Sequence, residues 1–145
     1  MKIIIKTRIE KNFQLVFSKF NIELFRALKP PFVKLEVERF DGCKKGDEVH
    51  LNMVTFGKKQ RWVSHITGDF QGDYEIYFVD VGVVLPPPLK KWTHIHRVQK
   101  INELASYIVD DIEYTSGNVA LDLLLYPALY AMFFYRVPIY KSEFA

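Results

Sequence analysis

The 145-residue sequence contains a single cysteine, Cys43, and so can form no disulfide within the chain. A lone cysteine fits a reducing compartment better than a disulfide-stapled secreted fold. Residues 1–10 also lack the long apolar run and the small-residue cleavage site of a signal peptide. We therefore expect a soluble, cytoplasmic protein in which residues 1–145 form one domain.

The sequence has no strong excess of charge of either sign. Twenty Lys and Arg residues against 17 Asp and Glu give a formal net charge of +3. The basic residues form no stripe with interleaved aromatics, which is the pattern that nucleic-acid-binding surfaces show. We expect no nucleic-acid partner.

The motifs of several enzyme classes are missing. The chain has no G-x-S-x-G elbow, no P-loop and no G-x-G-x-x-G turn. Ser64, Ser106 and Cys43 do not form a nucleophile constellation. Hydrolase, nucleotide-binding and dehydrogenase functions therefore have no support, and we expect no cofactor.

The most apolar stretch lies near the C-terminus, where residues 118–136 are predicted to form one long helix. Asp122 is its only charge before Arg136, so every helical face carries apolar side chains. Such a helix must be buried on more than one side or inserted in lipid. The uncharged run 123–135 is shorter than the roughly 20 residues that span a bilayer. We expect burial against protein, with a kink at Pro127 and Pro138 as a candidate helix end.

The rest of the chain is dominated by alternation with period two, which predicts strands with one buried face. In the first strand, residues 2–9, Ile3, Ile5 and Ile9 point one way. Two short helices with Asn12 and Asn21 as N-caps follow. Six further strands are predicted at 33–38, 48–56, 59–67, 74–84, 89–101 and 103–114, with a loop at 68–73 and a stiff connection at Pro86–Pro88.

Short turns between successive strands predict an antiparallel meander. The fold class is therefore α+β: a seven-stranded curved antiparallel sheet wrapped around a long C-terminal helix, with two short helices after the first strand. One helix can cover only part of such a sheet, so a cavity is expected between them. A cavity no larger than roughly 300 Å³, the lower end for ligand pockets, would weaken any assignment of small-molecule binding.

Polar side chains share the inward face of the two strands before the final helix. Trp92, His94 and His96 alternate on one strand, and Asp110 and Tyr114 do so on its neighbour. A His with a carboxylate in a dry cavity can act as an acid/base pair. A hydrogen-bonded patch tying the two strands together explains the same pattern and is favoured. We therefore assign no catalytic residue.

A metal site is a further reading of this region. His94-x-His96 has the spacing of two metal ligands on a strand, with Asp110 or Glu103 as the third. Only four histidines are present, and no metal is expected. Arg61 and Arg136 could bind a carboxylate, but solvation and the helix dipole explain them equally well.

Three motifs resemble a known family. They are W-x-H-x-H at residues 92–96, D-x-x-x-Y at 110–114 and F-x-x-R at 133–136, preceded by Phe78-Val79-Asp80. Together with the element order, they resemble the START-like, Bet v 1-like (SRPBCC) superfamily, and in particular its small bacterial stand-alone members of ligand-binding or cyclase/dehydrase-like type. The resemblance covers essentially the whole chain. The triple proline and Pro127 depart from the family pattern.

The resemblance implies a helix-grip fold that binds a hydrophobic or amphipathic small molecule, such as a lipid, a polyketide or a quinone-like compound. Alternatives are a cyclase or dehydratase that uses His and Asp in the same cavity, and an interaction module with a filled core. A homodimer contact through Ile139, Tyr140 and Phe144 is also left open. The residues expected to contact the ligand are Met53, Trp62, Phe78, Trp92, His94, His96, Asp110, Tyr114 and Leu125.

Overall fold

The computed structural model describes all residues 1–145 as seven strands and four helices. The elements in chain order are β1 Lys2–Ile9, α1 Phe13–Ser18, α2 Ile22–Ala27, β2 Lys34–Phe40, β3 Glu48–Thr55, β4 Lys58–Gln71, β5 Glu75–Val84, β6 Lys91–Asn102, β7 Ala105–Thr115, α3 Val119–Phe134 and α4 Arg136–Glu143.

All seven strands form one antiparallel sheet in the order β1-β7-β6-β5-β4-β3-β2. Strands β2 to β7 follow one another as hairpins, which confirms the predicted meander. β1 closes the sheet by pairing with β7, with Lys2 opposite Glu113. The predicted α+β architecture is therefore confirmed.

Local sequence signals explain where the helices begin. The side chains of Asn12, Asn21 and Asn118 accept hydrogen bonds from the backbone N–H groups of Gln14, Leu24 and Leu121 at 2.9, 3.0 and 3.1 Å. Each bond satisfies a donor that has no partner within the first helical turn. The predicted caps of the two short helices are confirmed, and α3 starts in the same way.

Three predicted boundaries are wrong. Residues 68–71 are not a loop, because β4 continues to Gln71 and a register irregularity before Gly68 keeps that glycine paired with Val79. Leu104 is not on the inner face of the last strand but lies 78% exposed in the β6–β7 turn. Pro138 does not end the helix, because it falls in the first turn of α4, where a missing N–H costs no helical hydrogen bond.

The expectation that α3 is buried on more than one side is also wrong. Only Asp122 and Phe133 of this helix are buried, and Val119, Leu124 and Phe134 are 72%, 75% and 53% exposed. The helix packs through one face on β1 and β7, so its outer face is apolar and uncovered. By length and composition alone, Val119–Glu143 could cross a membrane, a test that the core helix of a soluble protein can also pass.

Two apolar clusters fill the interior. One lies around α1, α2 and α4 and includes Phe13, Val16, Tyr140 and Phe144. The other joins β1, β6 and β7 to α3 through Trp92 and its neighbours. Tyr140 and Phe144 are only 1% and 5% exposed, so the C-terminal side chains on which a dimer contact was predicted belong to the core of the chain itself.

Phe133 provides a test of this packing, because its ring lies 5.7 Å from that of Trp92 and is 4% exposed. We expect Phe133→Ala to lower the free energy of unfolding by about 3–5 kcal/mol through lost burial and the cavity left behind. The matched control is Phe134→Ala on the outer face, which should change it by about 0.5 kcal/mol or less. Urea unfolding monitored by tryptophan fluorescence measures both, and equal losses would contradict the packing described.

Candidate ligand site

A cavity of about 120 Å³ lies between the inner face of β2–β6, α2 and α3. A second cavity of about 60 Å³ adjoins it beneath α2 and shares Asp80, His96 and Arg136 with the first. The expected cavity is present, but its volume is below the roughly 300 Å³ typical of ligand pockets, which counts against binding of a whole drug-sized molecule in this conformation. The apolar wall of the larger cavity consists mainly of Phe25, Leu28, Leu35, Val49, Leu51, Met53, Trp62, Trp92, Leu129, Met132 and Phe133.

The larger cavity reaches the surface next to α2. Lys29 and Pro30, which follow α2, are among its lining residues, and Lys29 is exposed. On the opposite side the lining comes from Leu129 and Met132 of α3. A molecule entering from solvent would therefore pass between the α2–β2 loop and α3.

The floor of the cavity is polar and almost completely buried. His94 Nε2 and Asp110 Oδ1 are 2.9 Å apart, and the two residues are 3% and 1% exposed. Arg136 approaches the same carboxylate, with Nη1 3.5 Å from Oδ1. The His96 ring stacks on that of His94 with centroids 3.6 Å apart. Neighbouring strands and the start of α4 thus bring two imidazoles, a carboxylate and a guanidinium together.

Asp80 on β5 supplies a second carboxylate to this floor. Its Oδ2 lies 4.0 Å from His96 Nε2. Beside it, Trp62 donates an indole hydrogen bond of 2.9 Å to the Ser64 hydroxyl. Oδ1 of Asp80 and Oδ2 of Asp110 are buried without a hydrogen-bond partner in the protein. Buried carboxylate oxygens normally have partners, and of these two atoms only the Asp80 oxygen belongs to a residue that lines the cavities.

Burial moves the pKa values of acids and bases at this floor in opposite directions. It raises the pKa of Asp80 to about 6, against the ordinary 3.8, and it also raises the pKa of Asp110. It lowers the pKa of His94 and His96 well below 6.5, and the nearby Arg136 charge adds to this effect. Desolvation penalises the charged form of each group. Both imidazoles are therefore neutral at neutral pH and can donate or accept a hydrogen bond.

Three potential metal ligands are close together here. Nitrogen and oxygen atoms of His94, His96 and Asp110 lie within 4.8 Å of one another. Glu103, the other predicted third ligand, pairs with Lys100 in an exposed turn. The Arg136 guanidinium beside Asp110 opposes a second cation by like-charge repulsion. We therefore keep the prediction that no metal binds.

The structure brings together most of the residues predicted to contact a ligand. Met53, Trp62, Trp92, His94 and His96 line the larger cavity. The other four predicted residues line the smaller cavity or lie outside both cavities.

Phe78 lines the smaller cavity, and Asp110 lies behind His94. Tyr114 and Leu125 line neither cavity. The Tyr114 hydroxyl donates a hydrogen bond of 2.8 Å to the backbone carbonyl of Asp122, so this tyrosine fixes the start of α3. Leu125 packs in the cluster around Trp92.

Asp80, Ser64 and Arg136 are floor residues that were not selected from the sequence. Asp80 has the same parity as Phe78 and Ile76 on its strand, and this parity places it on the inner face. Arg136 is three residues after Phe133 and shares its helical face, with the guanidinium 4.5 Å from the ring. The strand parity of Asp80 and the helical spacing of Arg136 can both be read from the sequence. Neither residue was selected, because a charged side chain is usually assigned to the surface.

The sheet, the long C-terminal helix and the partly polar cavity define a helix-grip protein. More specifically, the chain has the Bet v 1-like (SRPBCC) fold, as the following structural likenesses show. No model of a known protein family and no curated protein matches the sequence.

Solved structures do match. The Zhui aromatase/cyclase from Streptomyces sp. R1128 superposes with a TM-score of 0.62 at 13% identity, over 97% of this chain and 93% of that one. Ara h 8.0201 gives 0.59 at 13% identity, over 97% of both chains. The di-domain ARO/CYC StfQ from the steffimycin biosynthetic pathway gives 0.68 at 14% identity, over 99% of this chain and 50% of StfQ. At such identities the likeness shows the fold alone.

Replacing Asp80 tests the electrostatics of the floor. Because the folded chain holds the Asp80 proton up to about pH 6, against 3.8 for the ordinary group, it loses stability as the pH rises through this range. Asp80→Asn removes that loss. Its stability relative to wild type should increase between about pH 4 and pH 7 by on the order of 2–3 kcal/mol.

Urea unfolding at a series of pH values measures this difference, in which the histidine titrations common to both proteins cancel. Asp73→Asn, in an exposed turn, is the control and should run parallel to wild type. A difference for Asp80→Asn that stays constant with pH would contradict the raised pKa of Asp80.

Proposed function

We propose that the protein binds a hydrophobic or amphipathic small molecule non-covalently in the cavity between the sheet and α3. The apolar wall supplies affinity, and the floor of His94, His96, Asp80, Asp110 and Arg136 orients the polar end of the ligand. The ligand class proposed is lipid-like, polyketide-like or quinone-like.

The observation that supports this proposal is an unpartnered carboxylate oxygen, Oδ1 of Asp80, in an otherwise mainly apolar chamber. Oδ1 of Asp80, which lines both cavities, can accept one more hydrogen bond. Arg136 and the neutral imidazoles supply donors at the same place. A hydroxyl or enol group on an apolar ring or chain would satisfy this acceptor, and a carbonyl would satisfy the donors.

Cavity size narrows the part of the ligand that fits without rearrangement. A cavity of roughly 150 Å³ lined by apolar side chains can hold benzene. The main cavity, at about 120 Å³, is somewhat smaller, so it accepts a short chain segment in this conformation and a single ring only after a small shift of the wall. A longer ligand would extend between the α2–β2 loop and α3, towards Lys29.

Native mass spectrometry of the freshly purified protein, with extraction of any bound compound, is the first test. Phenol and para-alkylphenols then serve as defined probes, because they combine one ring with one hydroxyl. We expect binding detectable by calorimetry and by quenching of Trp62 and Trp92. No adduct and no binding of any probe would refute the proposal.

A cavity-filling variant locates the site. Leu129 lines the cavity, and we expect Leu129→Trp to weaken probe binding by about tenfold or more because the indole occupies the space. Leu124→Trp, on the exposed side of the same helix, is the matched control and should bind as wild type. Calorimetry with the same phenol measures both, and equal binding by the two variants would place the ligand elsewhere.

The His94–Asp110 pair supports a second candidate, an enzyme that performs a cyclisation or dehydration by proton transfer. A carboxylate 2.9 Å from Nε2 fixes the imidazole. The lowered pKa of His94 keeps the ring neutral, as a general base must be, but also makes it a weaker base than an ordinary histidine. The two candidates share one cavity and differ in whether the ligand is transformed.

His94→Ala separates them. If the protein is an enzyme, this variant should still bind the ligand identified by mass spectrometry but lose turnover by roughly 100-fold or more. His65→Ala, at a half-exposed site, is the control and should leave both unchanged. Liquid chromatography of incubated ligand measures turnover, and a wild-type protein that returns the ligand intact would exclude catalysis on it.

Three other expectations also remain predictions. If every binding test fails, the protein is better described as an interaction module with a filled core. A homodimer would have to use an exposed apolar surface, such as the outer face of α3, rather than the buried C-terminal side chains. The cytoplasmic location rests on the sequence composition.

A further inference from the structure

One end of the sheet gathers several loops and the start of the long helix. β3, β5 and β7 all finish there, because alternate strands of an antiparallel meander run the same way. This end therefore carries the β3–β4 turn, the β5–β6 connection, the loop entering β2 and the first turns of α3. We call this end of the sheet the open end.

The open end exposes large apolar side chains. Phe32 and Phe56 are 82% and 93% exposed. The pairing of Lys34 with Val54 continues by register to put Phe32 opposite Phe56, and both rings line one surface depression. Other apolar side chains exposed at this end are Val83, Val84, Val119, Leu123 and Leu124.

Both phenylalanines are held in strained backbone conformations. Phe32 and Phe56 have φ angles of +65° and +51°, a region that Gly and Asn enter readily and bulky residues avoid. The rings contribute little packing in return, since both are exposed. The chain thus bears strain and exposed apolar area at the same two turns, which packing within one molecule does not explain.

Cations surround this apolar surface, and six of them pair with no carboxylate. Of the acidic groups at the same end, Glu36 pairs with Lys59 at 3.1 Å and Asp122 is hydrogen-bonded to Ser116. Asp111 pairs with Lys2, and Glu113 is exposed and forms no ion pair. The unpaired cations are Arg26, Lys29, Lys34, Lys58, Lys90 and Lys91.

We propose that the open end docks on a membrane surface that contains anionic lipid. The rings of Phe32 and Phe56 enter the boundary between headgroups and acyl chains, and the unpaired cations face the anionic headgroups. Exposed aromatic side chains ringed by Lys and Arg are the chemical combination that such an interface favours.

Docking at this end would place the cavity mouth at the bilayer. Lys29 and Leu35 line both the surface depression beside Phe32 and the main cavity. An amphipathic molecule could then pass from the lipid into the cavity without crossing bulk water. The docking proposal does not depend on the identity of the ligand.

A second copy of the chain is the other occupant to consider. Two copies meeting through this end would bring six unpaired cations of each against the same cations of the other. Such like-charge contacts are unfavourable, whereas an anionic surface neutralises them. Charge complementarity therefore favours lipid.

The test is co-sedimentation of the full chain with vesicles of phosphatidylcholine alone and of phosphatidylcholine mixed with phosphatidylglycerol. We expect binding to the mixed vesicles that weakens as salt is added. The double variant Phe32→Asn/Phe56→Asn should lower the partition coefficient by about tenfold or more while keeping the fold, because Asn tolerates positive φ.

Two controls make the result specific. Leu104→Asn removes a similarly exposed apolar side chain at the opposite end of the sheet and should bind vesicles as wild type. Lys34→Gln/Lys58→Gln removes two of the six unpaired cations and should weaken the preference for anionic lipid. Circular dichroism and thermal unfolding verify that each variant is folded.

Equal binding of wild type and the Phe32→Asn/Phe56→Asn variant to mixed vesicles would overturn the proposal. So would the absence of vesicle binding by wild type. A third outcome is that wild type binds no vesicles but self-associates in sedimentation velocity, and that the Phe32→Asn/Phe56→Asn variant does not self-associate. That outcome would assign the open end to contact with a second copy of the chain instead.

Discussion

The concave face of the seven-stranded sheet is wider than the single helix that packs on it. Strands spaced about 4.8 Å apart give a sheet roughly 29 Å across before curvature, whereas a helix with its side chains is about 10 Å wide. α3 therefore packs over β1 and β7, and its side chains reach Trp92 and Trp62. α1 and α2 fill part of the rest, and the remaining space over β3–β5 is the cavity. Cavity, mouth and exposed outer helix face all follow from this mismatch in width.

The polar floor lies where this apolar packing ends. Arg136 starts the helix that follows α3, and its guanidinium is placed between the ring of Phe133 and the carboxylate of Asp110. One buried cation thus faces a buried carboxylate, and the lowered pKa values of His94 and His96 avoid adding further charge. Burying a network of this kind removes its charged groups from water, and only full hydrogen bonding can offset that desolvation penalty. The two carboxylate oxygens without partners show that the offset is incomplete in the protein alone.

Much of this architecture could be predicted because side-chain alternation reports which strand face is buried. The alternation of β1 and β6 placed Ile3, Trp92 and His94 correctly on the inner face. Alternation says nothing about depth along a strand, so Tyr114 shares the face of Asp110 and yet lies beyond the cavity. Charged side chains were the main omission, since Arg136 is buried only because Phe133 and Asp110 enclose it. A register irregularity concealed the continuation of β4 through Gly68, because a glycine followed by polar residues resembles a loop.

The pairing of the first strand with the last has a consequence for synthesis of the chain. The backbone nitrogen of Met1 donates to the carbonyl of Tyr114, a partner 113 residues later. At roughly 5–20 residues per second, a ribosome needs about 6–23 s to make the residues between them. Throughout that interval β1, with its inward isoleucines, has no partner strand, and the non-local pairing makes closure of the sheet a late event. Until β7 is made, this unpaired apolar strand is a segment prone to aggregation.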